Sequence, residues 1–199
     1  MTDKLNPCPN APGRTDGDEV ILVNAQDEQV GVAPKMHVHR EGLLHRAVSV
    51  FLFDVEGRVL LQRRALAKYH SGGLWSNTCC GHPRPGESSI EAARRRLHEE
   101  MGVTCAVMPA FEFVYRAELP NGLVEYELDH VFVGWFDGEP IPDPAEVTEW
   151  RWAALEAILA DYALHPGGYT AWFRAALLLL GAEAETDSAQ ALRQRTLHS

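Results

Sequence analysis

The 199-residue chain has no long hydrophobic run. Its strongest apolar stretch, Ala175 to Leu180, falls far short of the roughly 18 residues a membrane span needs. The opening segment, MTDKLNPCPNAPGRTDGDE, is polar and lacks the apolar stretch of a secretory signal. Positive charge is also scarce: 18 Lys and Arg stand against 28 Asp and Glu, for a net charge of -10. That balance argues against non-specific binding to nucleic acid or to an anionic membrane. An anionic small molecule still fits if cations cluster locally or a divalent metal helps. The four cysteines, Cys8, Cys79, Cys80 and Cys105, form no Cys-x-x-Cys pair and no plausible disulfide framework. Reduced thiols and a cytoplasmic location are expected. At 46% apolar and 23% charged residues, the chain reads as an ordinary globular protein, which excludes disorder for its bulk and fibrous architectures.

Residues 1–18 read as a flexible leader, 19–180 as a single domain, and 181–199 as a polar tail, frayed or loosely helical. Val20–Asn24 and Val30–Pro34 suggest a hairpin around Gln26–Gln29. Arg46–Phe53 and Arg58–Arg63 are β-rich runs joined by Asp54-Val55-Glu56-Gly57, and Trp75–Cys80 reads as a shorter strand. One helix is well marked. Ser88 and Glu91 form a capping box, Ile90, Ala93, Leu97 and Met101 supply the apolar stripe, and Gly102 the stop. Strands Phe111–Leu119 and Leu123–Phe136 flank Pro120-Asn121-Gly122. Glu149–Trp152 makes a last strand, and helices near Ala154–Tyr162 and Thr170–Leu180 close the domain. Strands interrupted by few helices predict a mixed sheet with flanking helices, α+β or α/β.

The segment Gly81–Val103, GHPRPGESSIEAARRRLHEEMGV, resembles the Nudix box. Gly81, Glu87, Arg95, Leu97, Glu99, Glu100, Gly102 and Val103 all fall on its pattern, in which helical carboxylates hold a divalent cation against a diphosphate. One position departs: the box calls for Glu after its Arg, and this chain has Arg96. Arg96 and Glu100 are four apart and share a helix face, so a surface ion pair is one reading. The other is a metal-binding carboxylate exchanged for a guanidinium that grips phosphate oxygens. Hydrolysis by activated water needs the full carboxylate set, so the departure favours holding a diphosphate over cutting it.

Further runs narrow the resemblance. His39-Arg-Glu-Gly-Leu-Leu-His45-Arg-Ala-Val-Ser, Gln62-Arg-Arg64-Ala-Leu-Ala-Lys68, Trp75-Ser-Asn-Thr-Cys-Cys80-Gly-His82-Pro and Glu125-Tyr-Glu127 are similar to type I isopentenyl-diphosphate isomerases across residues 19–180. The resemblance implies a Nudix-type mixed sheet with flanking helices. It also implies a metal site of His39, His45, His82, Glu125 and Glu127, with Cys80 at its border and counted with it. Three imidazoles and two carboxylates suit a five- or six-coordinate divalent ion, Mn²⁺, Mg²⁺ or another. Glu125 and Glu127, two apart in a strand, point to one face. A second ion, Mg²⁺ carried with the diphosphate, is expected at Glu100.

The resemblance makes Cys80 the catalytic thiol and Cys79 a structural one; in a strand the two face opposite sides. Glu127 and Tyr115 complete the implied catalytic set. A two-residue Asn121-Gly122 turn would put Arg116 opposite Glu127. A three-residue Pro120-Asn121-Gly122 loop, a type I turn closed by a left-handed Gly, pairs Leu119 with Leu123 and Tyr115 with Glu127. Lys35, Arg64, Lys68 and Arg96 are assigned to the diphosphate, and Trp172 to a lid over the hydrocarbon end, its π face suited to a carbocation.

The resemblance as a whole implies an isomerase acting on isopentenyl and dimethylallyl diphosphate by metal-dependent protonation and deprotonation. The expected partner is this small molecule, with no nucleic acid or membrane and no oligomer beyond a monomer. The rivals are a Nudix hydrolase of a nucleoside diphosphate derivative and a diphosphate sensor without chemistry.

Overall fold

A computed structural model describes residues 19–184. The expected leader, and the expected tail beyond residue 184, lie outside the described residues.

The chain opens with β1 (Glu19–Val23) and β2 (Gln29–Pro34), followed by α1 (Lys35–Glu41), β3 (His45–Phe53) and β4 (Val59–Arg64). Two very short strands come next, β5 (Trp75–Ser76) and β6 (Cys79–Gly81), then α2 (Ser89–Met101). The long pair β7 (Val107–Glu118) and β8 (Val124–Trp135) precedes β9 (Val147–Ala153), α3 (Leu155–Leu164) and α4 (Ala171–Ala184). The strands form one mixed sheet organised around β3. That strand runs parallel to β8, from His45 opposite Glu127 to Phe53 opposite Trp135, and antiparallel to β1, β4 and β6.

Helices cover both faces, which is why β3 reads as a nearly unbroken apolar run. Val48, Val50 and Leu52 pack with Ala92, Ala93, Leu97 and Met101 of α2. Phe51 and Val131 pack with Ile158 of α3 and with Phe173, Ala176 and Leu177 of α4. The α2 capping box forms as expected, Ser88 Oγ accepting from the Glu91 N–H and the Glu91 carboxylate accepting from the Ser88 N–H.

Three local differences from the sequence reading have physical causes. The expected strand Trp75–Cys80 is broken at Asn77 and Thr78, whose side chains take over the backbone bonding: Asn77 Nδ2 donates to the Val50 and Cys79 carbonyls, and Thr78 Oγ to the Leu60 carbonyl. The Pro120–Gly122 loop keeps the expected register, but Asn121 and Gly122 both have φ of 69°, so it is not a type I turn. The third is α1, a helix that the sequence pattern does not predict. Seven residues are too few for a legible period, yet Pro34 precedes it and Gly42, left-handed at φ 61°, ends it with a bond from its N–H to the Val38 carbonyl. Its buried residues are Val38 and His39.

Candidate active site and metal centre

One pocket opens where β3, β6 and β8 meet α2 and the start of α4. Among the residues lining it are Lys35, Arg64, Lys68, Cys80, His82, Arg96, Glu100, Glu125, Glu127 and Trp172. The ladder explains how distant residues converge. Glu127 lies beside His45 on the parallel β3–β8 pair, Cys80 beside Ser49 on β3–β6, and Tyr115 opposite Glu127 on β7–β8. Cys79 points the other way, into the α2 core, as alternation along a strand requires.

The imidazoles of His39, His45 and His82 turn toward one another. His39 Nδ1 donates to the Lys35 carbonyl (2.8 Å) and His45 Nδ1 to the Leu43 carbonyl (2.9 Å), which directs the Nε2 of each ring inward. His45 Nε2 is 3.2 Å from His82 Nε2 and 3.3 Å from Glu127 Oε1; His82 Nε2 is 2.9 Å from that same oxygen. His39 Nε2 is buried with no hydrogen-bond partner. A buried acceptor without a partner costs about 1–3 kcal/mol, so its presence needs a ligand to explain it. Imidazole nitrogens converging with a carboxylate fit a divalent cation. Two closely spaced groups of this kind share His39: one joins His39, His45, His82 and Glu127, the other His39, His70 and Glu125. Cys80 and Glu100 belong to neither. Arg64 Nη1 donates to the Cys80 thiol at 3.5 Å.

Burial sets the electrostatics. It holds His82 down to about 3 and His70 to about 2, so both rings are neutral. Burial pushes the Cys80 thiol up to about 12, with the Arg64 charge opposing. Burial and the neighbouring Glu127 charge lift Glu125 well above the usual carboxylate range. Burial would lift Glu127 too, but the His45 and His82 imidazoles bonded to it outweigh that and hold it well below. The Tyr115 hydroxyl donates to Glu127 and reaches Glu125 at 3.2 Å.

Above this cluster sits the cationic side of the pocket. Arg96 is buried, not at the surface. Its guanidinium clamps Glu100 Oε1 (Nη2 2.6 Å, Nε 3.2 Å), donates to Glu99 (2.7 Å) and lies 3.4 Å from Glu146. Gln62 holds the other Glu100 oxygen at 2.6 Å. Lys68 pairs with Glu146 at 2.5 Å, and Lys35 lies over the Tyr69 ring. Gly81 is fixed by this packing: a Cβ there would meet Arg96 Cγ at 2.8 Å. Arg95 anchors the box loop to the helix through Glu87, Glu99 and the His82 carbonyl. Trp172 is a fixed wall and not a lid: it is 3% exposed, donates from Nε1 to Asn77 Oδ1 (3.0 Å) and lies under Arg64. Arg63, by contrast, is exposed and pairs with Glu149.

Sequence reasoning missed His70, Gln62 and Glu146. Gln62 and His70 lie in or just beyond the Gln62–Lys68 run; Glu146 sits in a loop with no local signal.

The NUDIX domain family model matches residues 43–173, more than half of the chain, which makes the protein a member of the Nudix family. The solved structures agree on the fold: a Deinococcus radiodurans protein, DR0079, superposes with a TM-score of 0.63 at 26% identity, over 73% of this chain and 89% of that one. A MutT protein from Methanosarcina mazei Go1 gives 0.59 at 24% identity, over 72% and 96%. Curated relatives narrow the placement. Isopentenyl-diphosphate Delta-isomerase 2 of Aromatoleum aromaticum is 54% identical over 80% of this chain and 85% of its own. The isopentenyl-diphosphate Delta-isomerases of Burkholderia multivorans (54%; 78% and 89%) and Serratia proteamaculans (48%; 82% and 91%) are similar throughout. Within the Nudix family, the chain belongs with the isopentenyl-diphosphate Delta-isomerases. No helix among the described residues is long and apolar enough to cross a membrane.

Proposed function

We propose that the protein interconverts isopentenyl diphosphate and dimethylallyl diphosphate by a 1,3-allylic proton shift. The observation that carries this reading is that Cys80 and Glu127, the latter bonded by Tyr115, line one pocket from the two strands on either side of β3, next to a buried Arg96 where a hydrolase box has Glu. An alkene is a very weak base. Protonating it needs a positioned acid in a site that excludes water, and a base aligned with the neighbouring carbon. Cys80 and Glu127 with Tyr115 fill these two roles across the bound five-carbon unit. A proton added at one end gives a tertiary carbocation, and loss of a proton from the other side of that centre completes the shift. The reaction is reversible, so each group serves as acid in one direction and base in the other. Trp172 offers its π face to the cationic carbon.

Lys35, Arg64, Lys68 and Arg96 hold the diphosphate. Lys68 and Arg96 exchange part of their pairing with Glu146 for phosphate oxygens. Mg²⁺ fits at Glu100, since it binds through one or two carboxylates plus substrate phosphate. His39, His45, His82, Glu125 and Glu127 hold the second ion, Mn²⁺ or Mg²⁺ or another divalent metal; bound there, it supplies positive charge that orients the Glu127 carboxylate beside the substrate. The free thiol this chemistry needs at Cys80 suits a reducing, cytoplasmic setting.

Proton NMR of isopentenyl diphosphate with the protein and Mg²⁺ in D₂O tests the proposal. The expected result is the allylic isomer, with deuterium entering the carbon skeleton. Released phosphate with an unshifted double bond would make the protein a hydrolase, and binding without change would make it a sensor.

A further inference from the structure

Glu146 is neither acid, base nor phosphate grip in the reaction described above, yet it stands against the cations of the pocket. Its Oε2 lies 2.5 Å from Lys68 Nζ and 3.4 Å from Arg96 Nη2, so one oxygen meets two of the four side chains assigned to the diphosphate. The Lys68 and Glu146 side chains are only 17% and 18% exposed, so solvent and salt screen this charge poorly. The backbone holds the carboxylate in place. The Glu146 carbonyl accepts from the Ala65 N–H (2.8 Å), and the Ala65 carbonyl accepts from the Lys68 N–H (3.1 Å). The Glu146 N–H donates to the Asp143 carbonyl (2.9 Å), and the Asp143 N–H to the Glu100 carbonyl (3.0 Å). Glu146 is thereby tied to the loop that carries Lys68 and to the helix that carries Arg96.

Three carboxylates meet Arg96, and they are not equivalent. Glu100 is buried, one oxygen clamped by Arg96 and the other held by Gln62. Glu99 is half-buried and shared with Arg95 (3.0 Å) and Arg84 (3.7 Å). Glu146 instead pairs with Lys68 and Arg96, both of which the diphosphate has to reach. A diphosphate in this place brings further negative charge to the same two cations. The backbone bonds keep Glu146 close by, so its carboxylate and the phosphate oxygens oppose each other. Like charges held together in a poorly screened site disfavour binding, unless a cation arriving with the phosphates offsets them.

We infer that Glu146 is a specificity-determining counter-charge of the diphosphate subsite. While the subsite is empty it balances Lys68 and Arg96 and holds their side chains in position. When a ligand enters, its negative charge selects a diphosphate complexed with a divalent cation over the same diphosphate without one. This rests on the diphosphate reading proposed above and deepens it. The requirement for the ion then comes in part from a residue outside the Nudix box, through charge and not through the reacting carbons.

The test is calorimetric titration of the full-length protein, dialysed into metal-free buffer, with inorganic pyrophosphate in the presence and absence of Mg²⁺. Glu146→Gln keeps the shape of the side chain and removes its charge. It should bind metal-free pyrophosphate at least about tenfold more tightly than the wild type, and the advantage given by Mg²⁺ should shrink by the same factor. That gain should fade as salt is raised. Equal affinity of the two proteins for metal-free pyrophosphate would overturn the inference. So would weaker binding by the variant in both arms, which would leave Glu146 only an anchor for Lys68 and Arg96. A loss confined to the Mg²⁺ arm would overturn it too, placing the effect on the ion itself. No binding by the wild type in either arm would instead overturn the diphosphate reading on which the inference rests. Should Glu146→Gln fold poorly, Glu146→Asp decides: it keeps the charge and should keep the wild-type dependence on Mg²⁺, and a Mg²⁺ advantage reduced tenfold there would overturn the role of charge.

Discussion

Tyr115 faces Glu127 directly across the β7–β8 ladder, and its hydroxyl donates to that carboxylate. The pairing depends on the three-residue loop at Pro120–Gly122, where the Leu119 N–H closes on the Leu123 carbonyl. A loop one residue shorter would put Arg116 in this place and send Tyr115 to the other face. Tyr115→Phe keeps the ring and removes the donor. Its kcat for isomerisation should fall by roughly 10²-fold, with KM changed little; a variant with full kcat would leave the hydroxyl a purely structural role.

Cys80→Ala and Glu127→Gln should each remove detectable isomerisation, a loss of about 10³-fold or more. Near-native thermal melting would establish that the fold survives. The two variants together test whether acid and base lie on separate groups. Turnover at the wild-type rate in either one would strike that residue from the catalytic set.

Arg96 and Glu100 make a buried pair in which one charge answers the other. Arg96→Gln leaves the Glu100 carboxylate buried with Gln62 as its remaining named donor. A stability loss of about 3 kcal/mol is expected in chemical denaturation. Affinity for inorganic pyrophosphate with Mg²⁺, measured by calorimetry, should fall at least tenfold. If stability drops while affinity holds, Arg96 serves Glu100 and not the phosphates.

Gly81→Ala tests the contact from the other side. The new methyl would sit 2.8 Å from Arg96 Cγ, so the arginine must shift away. A cost of roughly 1–3 kcal/mol is expected, with weaker diphosphate binding and the α2 capping box untouched. Wild-type stability and binding would mean that the Arg96 stem moves aside freely.

Asp54 gives a pH-dependent test remote from the site. Burial would raise its pKa, but bonds from the Arg58 N–H (2.7 Å) and Nε (2.5 Å) outweigh this and hold it below 3.8. A lowered native pKa means that the stabilisation is complete above the unfolded value and is lost as pH falls through the folded one. Asp54→Asn should therefore melt below the wild type at pH 7, and the gap should close under about pH 4. A gap independent of pH would show that shape, not charge, holds the turn.

Much of the site was legible because its chemistry is local in sequence. The Cys80-Gly81-His82 run, the box helix and the Glu125–Glu127 spacing each carry their meaning within a few residues. The box helix was readable down to its cap because capping bonds span three residues. The helix α1 was not, since its seven residues hold together through tertiary burial of Val38 and His39 and not through propensity. The same limit hid His70 and Glu146, whose partners Glu125 and Lys68 lie 55 and 78 residues away in the chain.

Alternation, caps and the loop length at Pro120–Gly122 thus determined which faces His45, Cys80, Tyr115 and Glu127 would take, because strand period and turn length act between near neighbours. Only the tertiary structure decided which of these faces meet. The parallel register of β3 and β8 sets His45 beside Glu127, packing against Asn77 turns Trp172 from a lid into a wall, and the carboxylates around Arg96 bury a charge that local spacing alone would leave on the surface. Each of these depends on groups far apart in the chain being desolvated together, and desolvation belongs to the assembled core and not to any one segment.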